Sequence, residues 1–402
     1  MYANKDLNVE LCGVTFENPF VLAAGPPTDD LEMVRNALKM GWAGAVLKTT
    51  HVVGQEVPLV YPMMSSLEYQ RRIVGLGNID LISKHGIEIV SERIKTLKKE
   101  FPNKVIISSM MGSTKEDWQS LASTLAEAGV DMIECSFSCP QGTLGSKPGA
   151  MLGQDPKFSK TVASWVKEAA KEVPVSIKIT PQVADIVEVA QAIKESGADC
   201  ITASNTIPAL MGIDIETFVP YPKVRGKSTY SGLSGLSIKP ITLRTIVEIK
   251  RNVDIPISGT GGASNWHDAV EFFLVGASNI QMCTCVMRYG YRIIDDLKNG
   301  LSNYLARKNI NKIEDIIGAA LPNIVVHDEL PRETTVQAEI EKNQCIKCDL
   351  CYIACRDGGH QAIDLDDQRT PSVSDEMCVG CALCTIVCPV NCISLKEVPL
   401  KK

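Results

Sequence analysis

The sequence predicts an α/β protein in which a (β/α)8 barrel, the TIM-barrel architecture, precedes a small α+β domain. Eight short apolar runs alternate with helical stretches up to about residue 320, and cysteines are concentrated near the C-terminal end. A stretch containing Pro322 and Pro331 separates these two regions. We therefore expect the barrel at 1–320, a linker at 321–335 and the small domain at 336–402.

The predicted barrel strands are apolar and β-prone, and segments with helical apolar spacing, such as Leu31–Met40 and Thr161–Lys171, lie between most of them. The eight runs are Pro19–Ala24, Ala43–Thr49, Val105–Met110, Met132–Ser138, Val175–Thr180, Cys200–Thr206, Ile255–Gly262 and Asn279–Thr284. Alternation of this kind predicts a parallel sheet covered by helices on its outer face. Eight such units in one domain are typical of a closed barrel.

A doubly wound open sheet is the alternative, and it normally places a glycine fingerprint after its first strand. Here that position is Ala24-Gly25-Pro26-Pro27, which does not fit. Gly259–Gly262 comes closest to the dinucleotide motif, but Ser264 stands where the next glycine is expected. The P-loop motif is also missing from the sequence. We therefore expect no nicotinamide or ATP binding by these motifs.

Composition narrows the class of protein further. The chain is 45% hydrophobic and 22% charged, with a net charge of -6, which argues against nucleic acid as a partner. The sequence holds no apolar run near the ~18 residues that a membrane span needs. Met1–Glu10 is polar, unlike a signal peptide. We expect a cytoplasmic protein without a membrane partner.

Cysteine usage indicates a metal-binding second domain. Nine of the 15 cysteines lie within 345–402, and eight of these form two runs of the spacing C-x2-C-x2-C-x3-C. This is the pattern of two-cluster bacterial ferredoxins, which bind two 4Fe-4S clusters. The predicted ligands are Cys345, Cys348, Cys351, Cys355, Cys378, Cys381, Cys384 and Cys388.

In this pattern the fourth cysteine of each run binds the other cluster, which assigns Cys388 to the first cluster and Cys355 to the second. Structural zinc is the alternative, although zinc sites usually combine two C-x2-C pairs. Cys392 lies outside the pattern and is interpreted as a buried thiol. Because such clusters pass single electrons, we expect the chemistry to take place in the barrel.

Barrel active sites lie at the C-terminal ends of the strands. Lys48 and Lys178 end two predicted strands, where a buried lysine requires an anion or a hydrogen-bond acceptor. Either could instead be a solvated side chain. Gly261-Gly262 and Cys283-Thr284 follow the seventh and eighth runs, where such barrels commonly bind phosphate. Flavin mononucleotide (FMN) would place its phosphate at these two turns and its ring over the mouth of the barrel, near the lysines.

Cys139 follows the fourth strand and precedes a glycine-rich segment, 141–154, long enough to close over a substrate. A thiol on such a loop can donate a proton to carbon. The alternative is an inert packing cysteine, which is how we interpret Cys12, Cys135 and Cys200.

Together these residues resemble the dihydropyrimidine dehydrogenases, and in particular the catalytic subunit of the bacterial NAD-dependent type. The resemblance covers nearly the whole chain. Its motifs are Asn18–Phe20, Leu47–Thr49, Asn78–Ser83, Ser138–Pro140, Gly153–Pro156, Lys178–Pro181, Ser204–Thr206, Ser234-Gly235 and Thr260–Gly262.

The resemblance implies reduction of the 5,6 double bond of uracil or thymine, with a hydride from FMN and a proton from Cys139. It also implies electron delivery from NADH through an FAD-bearing partner subunit, in a hetero-oligomer or a homodimer. The implied FMN contacts are Ala24, Lys48, Thr49, Lys178, Ser234, Gly235, Thr260, Gly261, Gly262, Cys283 and Thr284. The implied substrate contacts are Asn78, Ser136, Ser138, Asn205 and Thr206.

Two positions depart from the family pattern: Ser136 replaces an asparagine that contacts the base, and Ala24 replaces a serine that contacts the flavin. The hydroxyl of Ser136 is shorter than an amide and has one donor instead of two. Two further functions stay open. The chain could oxidise dihydroorotate, which requires basic groups for a carboxylate, or it could be a non-catalytic electron-transfer subunit.

Overall fold

The computed structural model describes residues 5–54, 56–137 and 152–400. The chain divides into two compact units, Met1–Asn323 and Ile324–Lys402. The first unit opens with a hairpin and then alternates strands with helices. Its first elements are β1 (Val9–Leu11), β2 (Val14–Phe16), β3 (Phe20–Leu22), α1 (Leu31–Lys39), β4 (Gly44–Thr50), β5 (Met64–Tyr69), β6 (Arg72–Asn78), α2 (Ile87–Glu100), β7 (Val105–Met110), α3 (Lys115–Glu127) and β8 (Met132–Ser136).

The same alternation continues to the end of the unit. The remaining elements are α4 (Pro156–Ala170), β9 (Val175–Lys178), α5 (Ile186–Glu195), β10 (Cys200–Ala203), β11 (Ile207–Ala209), β12 (Ile213–Asp214), β13 (Val219–Pro220), β14 (Ser231–Ser234), α6 (Lys239–Asn252), β15 (Ile257–Thr260), α7 (Trp266–Val275), β16 (Asn279–Met282), α8 (Thr284–Tyr289) and α9 (Ile293–Arg307). Short 3-10 turns occupy Pro26–Thr28, Leu152–Gln154, Leu236–Ile238, Ile313–Ile316 and Leu321–Asn323.

Eight parallel strands form a closed barrel in the order β3, β4, β7, β8, β9, β10, β15 and β16, and β16 pairs back with β3. These strands are the eight predicted apolar runs, so the predicted (β/α)8 fold is confirmed. The strands are short, and residues such as Ile106, Ile133 and Ile201 are fully buried. Burial on both faces is the reason that they appear in the sequence as continuous apolar runs.

Helix starts are determined by local side chains. Asp30 caps α1 by accepting a hydrogen bond from the backbone N–H of Glu32, and Asp155 caps α4 one residue before Pro156. At α3, Thr114 and Asp117 form a reciprocal capping box. These caps end three of the βα loops at a defined residue.

Two insertions form further β-structure that the sequence analysis does not predict. The insertion after β4 holds β5 and β6, and the insertion after β10 holds β11 to β14. They combine in an antiparallel sheet of the order β11-β14-β6-β5, with β12 and β13 as a separate hairpin. In this sheet Asn78 of β6 pairs with Gly232 of β14, so two distant insertions are joined above the strand ends.

The second unit is a small α+β domain. Its elements are β17 (Thr334–Ile340), α10 (Leu350–Gly358), β18 (Ile363–Leu365), β19 (Pro371–Val373), α11 (Leu383–Val387) and β20 (Ile393–Pro399). β17 pairs with β20 and β18 with β19, both antiparallel. The unit boundary follows the turn Leu321–Asn323, within the segment predicted as the linker. Over the described ranges, none of the helices has the length and apolar character needed to cross a membrane.

Candidate active site

A cavity of 820 Å³ opens at the C-terminal ends of the barrel strands. This volume is in the range of about 300–1,000 Å³ that is typical of ligand sites. Every predicted cofactor and substrate residue of the barrel that the structure describes lines it. These residues are Ala24, Lys48, Thr49, Asn78, Ser136, Lys178, Asn205, Thr206, Ser234, Gly235, Thr260, Gly261, Gly262, Cys283 and Thr284. Ser138 and Cys139 lie outside the described residues.

Lys48, on β4, points toward two carboxylates. Its Nζ lies 2.6 Å from Asp80 Oδ2 and 3.4 Å from Asp29 Oδ2. The Ser83 hydroxyl donates to Asp29, which fixes this second acid. The buried Oδ1 of Asp80 makes no hydrogen bond, and Asp80 lines the cavity. The sequence predicts an anion or a hydrogen-bond acceptor beside a buried Lys48, but it does not identify the two acids.

Lys178, at the end of β9, has a carboxylate partner on the neighbouring strand β8. Its Nζ lies 3.5 Å from Glu134 Oε1, and Glu134 is fully buried. Glu134 Oε2 accepts hydrogen bonds from Thr202 at 3.1 Å and Gln281 at 2.9 Å. Glu134 is not among the residues predicted from the sequence, although a charged residue inside an apolar strand is itself a signal.

The turn after β15 can only be built from glycine. Gly261 and Gly262 have φ angles of 113° and 102°, in the left-handed region. A Cβ on Gly261 would lie 2.8 Å from Thr242 Oγ1, and one on Gly262 would lie 2.6 Å from the Lys239 backbone. The backbone therefore approaches its neighbours closely where phosphate binding is predicted. Nearby, the Thr284 hydroxyl lies 2.9 Å from that of Ser234.

The cavity wall also contains polar atoms without partners. Ser204 Oγ and Ser231 Oγ are buried, line the cavity and make no hydrogen bond. Buried polar groups are normally hydrogen-bonded, so these hydroxyls are available to a polar ligand. Together with two lysine ammonium groups and a glycine turn, they fit FMN, which combines a phosphate with a ring rich in hydrogen-bond acceptors.

Cys283 follows β16 in the cavity wall and is a protonated thiol at neutral pH. Burial raises its pKa to about 11, and the positive charges of Lys178 and Lys48 offset only part of this effect. Its Sγ contacts Met287 Sδ at 3.6 Å. Cys283 therefore serves as an apolar wall of the cavity.

The cysteines of the second unit converge on two separate cavities. One is lined by the predicted first group, Cys345, Cys348, Cys351 and Cys388. The other is lined by the predicted second group, Cys355, Cys378, Cys381 and Cys384. The helix α10 contributes Cys351 to one cavity and Cys355 to the other. Cys392 is buried, and its Sγ lies 3.6 Å from that of Cys388.

The chemistry of these thiols fits a cationic iron cluster. Burial, together with the neighbouring Cys378 and Cys381, raises the pKa of Cys384 to about 11. Thiolates that crowd together in this way require positive charge between them. Backbone N–H groups point at the sulfurs: Ala362 donates to Cys355 Sγ at 3.3 Å and Lys347 to Cys345 Sγ at 3.4 Å. Such hydrogen bonds stabilise clusters and tune their potentials.

Comparison with protein families gives two matches. Residues 6–305 match the family described as dihydroorotate dehydrogenase. Residues 338–395 match the family described as a 4Fe-4S dicluster domain. The barrel and the cysteine-rich unit therefore each belong to a known type, which supports FMN in the first and two 4Fe-4S clusters in the second.

Individual relatives extend this result over the whole chain. The chain is 41% identical to the NAD-dependent dihydropyrimidine dehydrogenase subunit PreA of Escherichia coli K12, over 99% of this chain and 97% of the relative. It is 34% identical to the chloroplastic dihydropyrimidine dehydrogenase (NADP(+)) of Arabidopsis thaliana, over 85% of this chain and 83% of the relative. It is 35% identical to the dihydroorotate dehydrogenase B (NAD(+)) catalytic subunit of Pyrococcus abyssi, over 78% of this chain and 99% of the relative. The chain therefore belongs to the dihydropyrimidine dehydrogenase family of flavin- and iron-sulfur-dependent oxidoreductases.

Proposed function

We propose that this enzyme is the catalytic subunit of an NAD-dependent dihydropyrimidine dehydrogenase and reduces the 5,6 double bond of uracil or thymine. The observation that carries the proposal is the single cavity lined by all the described residues expected to bind FMN and a pyrimidine. The chemistry that FMN supplies when bound is transfer of a hydride to one carbon of the double bond. A proton at the other carbon completes the saturated bond.

Cys139 is the proposed proton donor. Its thiol carries a proton at neutral pH, since a cysteine has a reference pKa of about 8.5. Donation leaves a thiolate, which must be reprotonated from solvent before the next turnover.

The amide edges of the pyrimidine are the proposed ligands of Asn78, Asn205, Thr206, Ser136 and Ser138. Asn205 Oδ1 accepts a hydrogen bond from the Thr206 backbone N–H at 2.9 Å, which orients the amide of Asn205. An oriented amide can distinguish a donor from an acceptor on the ring, because its own donor and acceptor ends are fixed.

FMN is proposed to contact Ala24, Lys48, Thr49, Lys178, Ser234, Gly235, Thr260, Gly261, Gly262, Cys283 and Thr284. In this proposal the two lysines lie near the ring, and the glycine turn after β15 lies near the phosphate. The pairs that Lys48 and Lys178 form with acids hold both ammonium groups in place before the cofactor binds.

Electrons are proposed to come from NADH through an FAD-bearing partner subunit and to pass the two clusters singly. The sequence lacks the glycine fingerprint that a nicotinamide site of its own would need. The enzyme is proposed to work in the cytoplasm as a hetero-oligomer or a homodimer. We expect little NADH oxidation by this chain alone and full turnover once the FAD subunit is added. An artificial one-electron donor should also support turnover without that subunit.

Dihydroorotate is the second candidate substrate, because the barrel matches the dihydroorotate dehydrogenase family. Its carboxylate requires a free cation. Among the described residues that line the cavity, the basic side chains are Lys48 and Lys178, and each is already paired with an acid. This arrangement favours an uncharged pyrimidine over orotate.

The decisive experiment measures FMN and iron in anaerobically purified protein together with uracil reduction by an artificial electron donor. We expect one FMN and eight irons per chain, as two 4Fe-4S clusters, and turnover of uracil or thymine. Orotate is added as a competitor. Stoichiometric zinc in place of iron would contradict the cluster assignment. Binding of orotate without turnover of uracil or thymine would favour dihydroorotate as the substrate. Protein that binds no flavin would indicate an electron-transfer module.

A further inference from the structure

Glu134 is a fully buried charged residue in the barrel to which the proposed reaction assigns no role. It is the third residue of β8, fully buried between apolar neighbours. A buried carboxylate is costly unless it is paired, because the protein interior solvates charge poorly. The sequence nevertheless places this carboxylate directly below the cavity.

Strand register explains what Glu134 meets. In the parallel pair of β8 and β9, Glu134 pairs with Ser176 and Ser136 pairs with Lys178. Residues two apart on a strand point to the same face. Glu134 and Ser136 therefore both point into the barrel, with Ser136 in the cavity wall and Glu134 one layer deeper. Lys178 Nζ is 3.5 Å from Glu134 Oε1.

The other carboxylate oxygen is held by uncharged groups on two further strands. Thr202 of β10 and Gln281 of β16 donate hydrogen bonds to Glu134 Oε2. Gln281 lies 3.1 Å from Ser258 of β15, and Thr202 lies 2.7 Å from Ser176 of β9. This network fixes Oε2, while Oε1 makes no hydrogen bond among the described residues and lies 3.5 Å from the ammonium of Lys178.

We infer that Glu134 is a positioning residue that supplies the counter-charge of Lys178 and directs its ammonium at the cavity, ready for the negative charge that reduction places on FMN. A buried lysine without a counter-charge favours its neutral amine, which attracts an anion far less. The inference rests on the proposed function, because it requires FMN in this cavity.

The test compares the midpoint potential of bound FMN between pH 6 and pH 9 in the full chain and in Glu134→Gln. Glutamine keeps the shape and a hydrogen-bond acceptor for Thr202 but removes the charge. We expect the difference in potential between variant and parent to change with pH, by at least about 30 mV across this range. This shift corresponds to a tenfold change in the relative binding of reduced FMN in a two-electron couple.

Other titratable groups in this part of the site are Cys283, Lys48, Asp80 and Asp29. The charges of Lys178, Lys48 and Asp80 act on Cys283, and Asp29 contacts Lys48. Cys135 adjoins Glu134. They are identical in both proteins, so their contributions cancel in the difference. The double variant Glu134→Gln, Lys178→Arg is the rescue experiment: a guanidinium stays charged throughout, and the pH-dependent difference should vanish. Ser258→Ala is the matched control, since it perturbs the network without changing a charge.

A merely structural role for Glu134 predicts a different result. Stability would fall in Glu134→Gln and in Ser258→Ala alike. In both variants the midpoint potential of FMN would change with pH in the same way as it does in the parent, and this result would overturn the inference. If Glu134→Gln does not fold, Glu134→Asp withdraws the carboxylate by one carbon and should show a smaller difference of the same kind. Parent protein that binds no FMN would overturn the inference together with the proposed function, whereas flavin-loaded parent with parallel curves would overturn the inference alone.

Discussion

Lys48 Nζ and Asp80 Oδ2 lie 2.6 Å apart, in a pair that is buried on both sides. Removing one partner of such a pair leaves an uncompensated charge, which costs about 3–5 kcal/mol. Asp29, 3.4 Å from the same ammonium, partly compensates. We therefore expect Asp80→Asn to lower the free energy of unfolding by an amount near the lower end of that range, measured by thermal denaturation of the full chain.

The matched control is the pair of Lys160 and Glu195, which lie 2.8 Å apart with about half of each side chain exposed. An exposed pair contributes little to stability, because water and salt screen it. Glu195→Gln should therefore change the melting temperature only slightly. Equal losses in the two variants would mean that the Lys48 pair is not effectively buried.

The eight barrel strands could be predicted because burial on both faces makes each an apolar run. The antiparallel sheet formed by the two insertions could not be predicted, because β6 and β14 pair across more than a hundred residues and carry glycines such as Gly77 and Gly232. The cavity residues at the barrel strand ends could be predicted from their positions, whereas Asn78, Ser234 and Gly235 lie in or beside the inserted sheet and are predicted only from the family resemblance. Their acidic partners Asp29, Asp80 and Glu134 could not, since ion pairing is tertiary and leaves no local spacing.

Two barrel thiols should react very differently with an alkylating reagent. Burial raises the pKa of Cys283 to about 11, whereas a hydrogen bond from Cys200 lowers the pKa of the half-buried Cys12. Because the thiolate is the nucleophile, Cys12 should be labelled readily at pH 7.5. Labelling of Cys283 should be slow and should rise about tenfold per pH unit until its pKa is approached.

Peptide mass spectrometry of the native protein measures both rates, and unfolded protein provides the intrinsic reactivity of each site. The sign is fixed by the chemistry: a raised pKa stabilises the protonated thiol, so reactivity appears only as the pH increases. Rapid labelling of Cys283 at neutral pH would contradict its assignment as a protonated wall of the cavity.

Cys139→Ala should leave FMN and iron content unchanged and should slow pyrimidine reduction by about 10²–10⁴, the contribution of a positioned general acid. The measurement is single-turnover oxidation of the reduced flavin by uracil under anaerobic conditions. Cys12→Ala is the control, because Cys12 is a barrel thiol in the turn between β1 and β2 and is not part of the cavity wall. A near-normal rate in Cys139→Ala would demote Cys139 to a packing residue.

Ser136→Asn tests the identity of the substrate, because Ser136 lines the cavity where the family has asparagine. If uracil or thymine is the substrate, the amide should restore a hydrogen bond worth about 0.5–1.5 kcal/mol and improve affinity up to tenfold. Spectral titration of the flavin with both bases measures this. Tight binding by the parent and weaker binding by the asparagine variant would mean that serine is the fitted residue. The interpretation of Ser136 as a lost contact with the base would then be wrong.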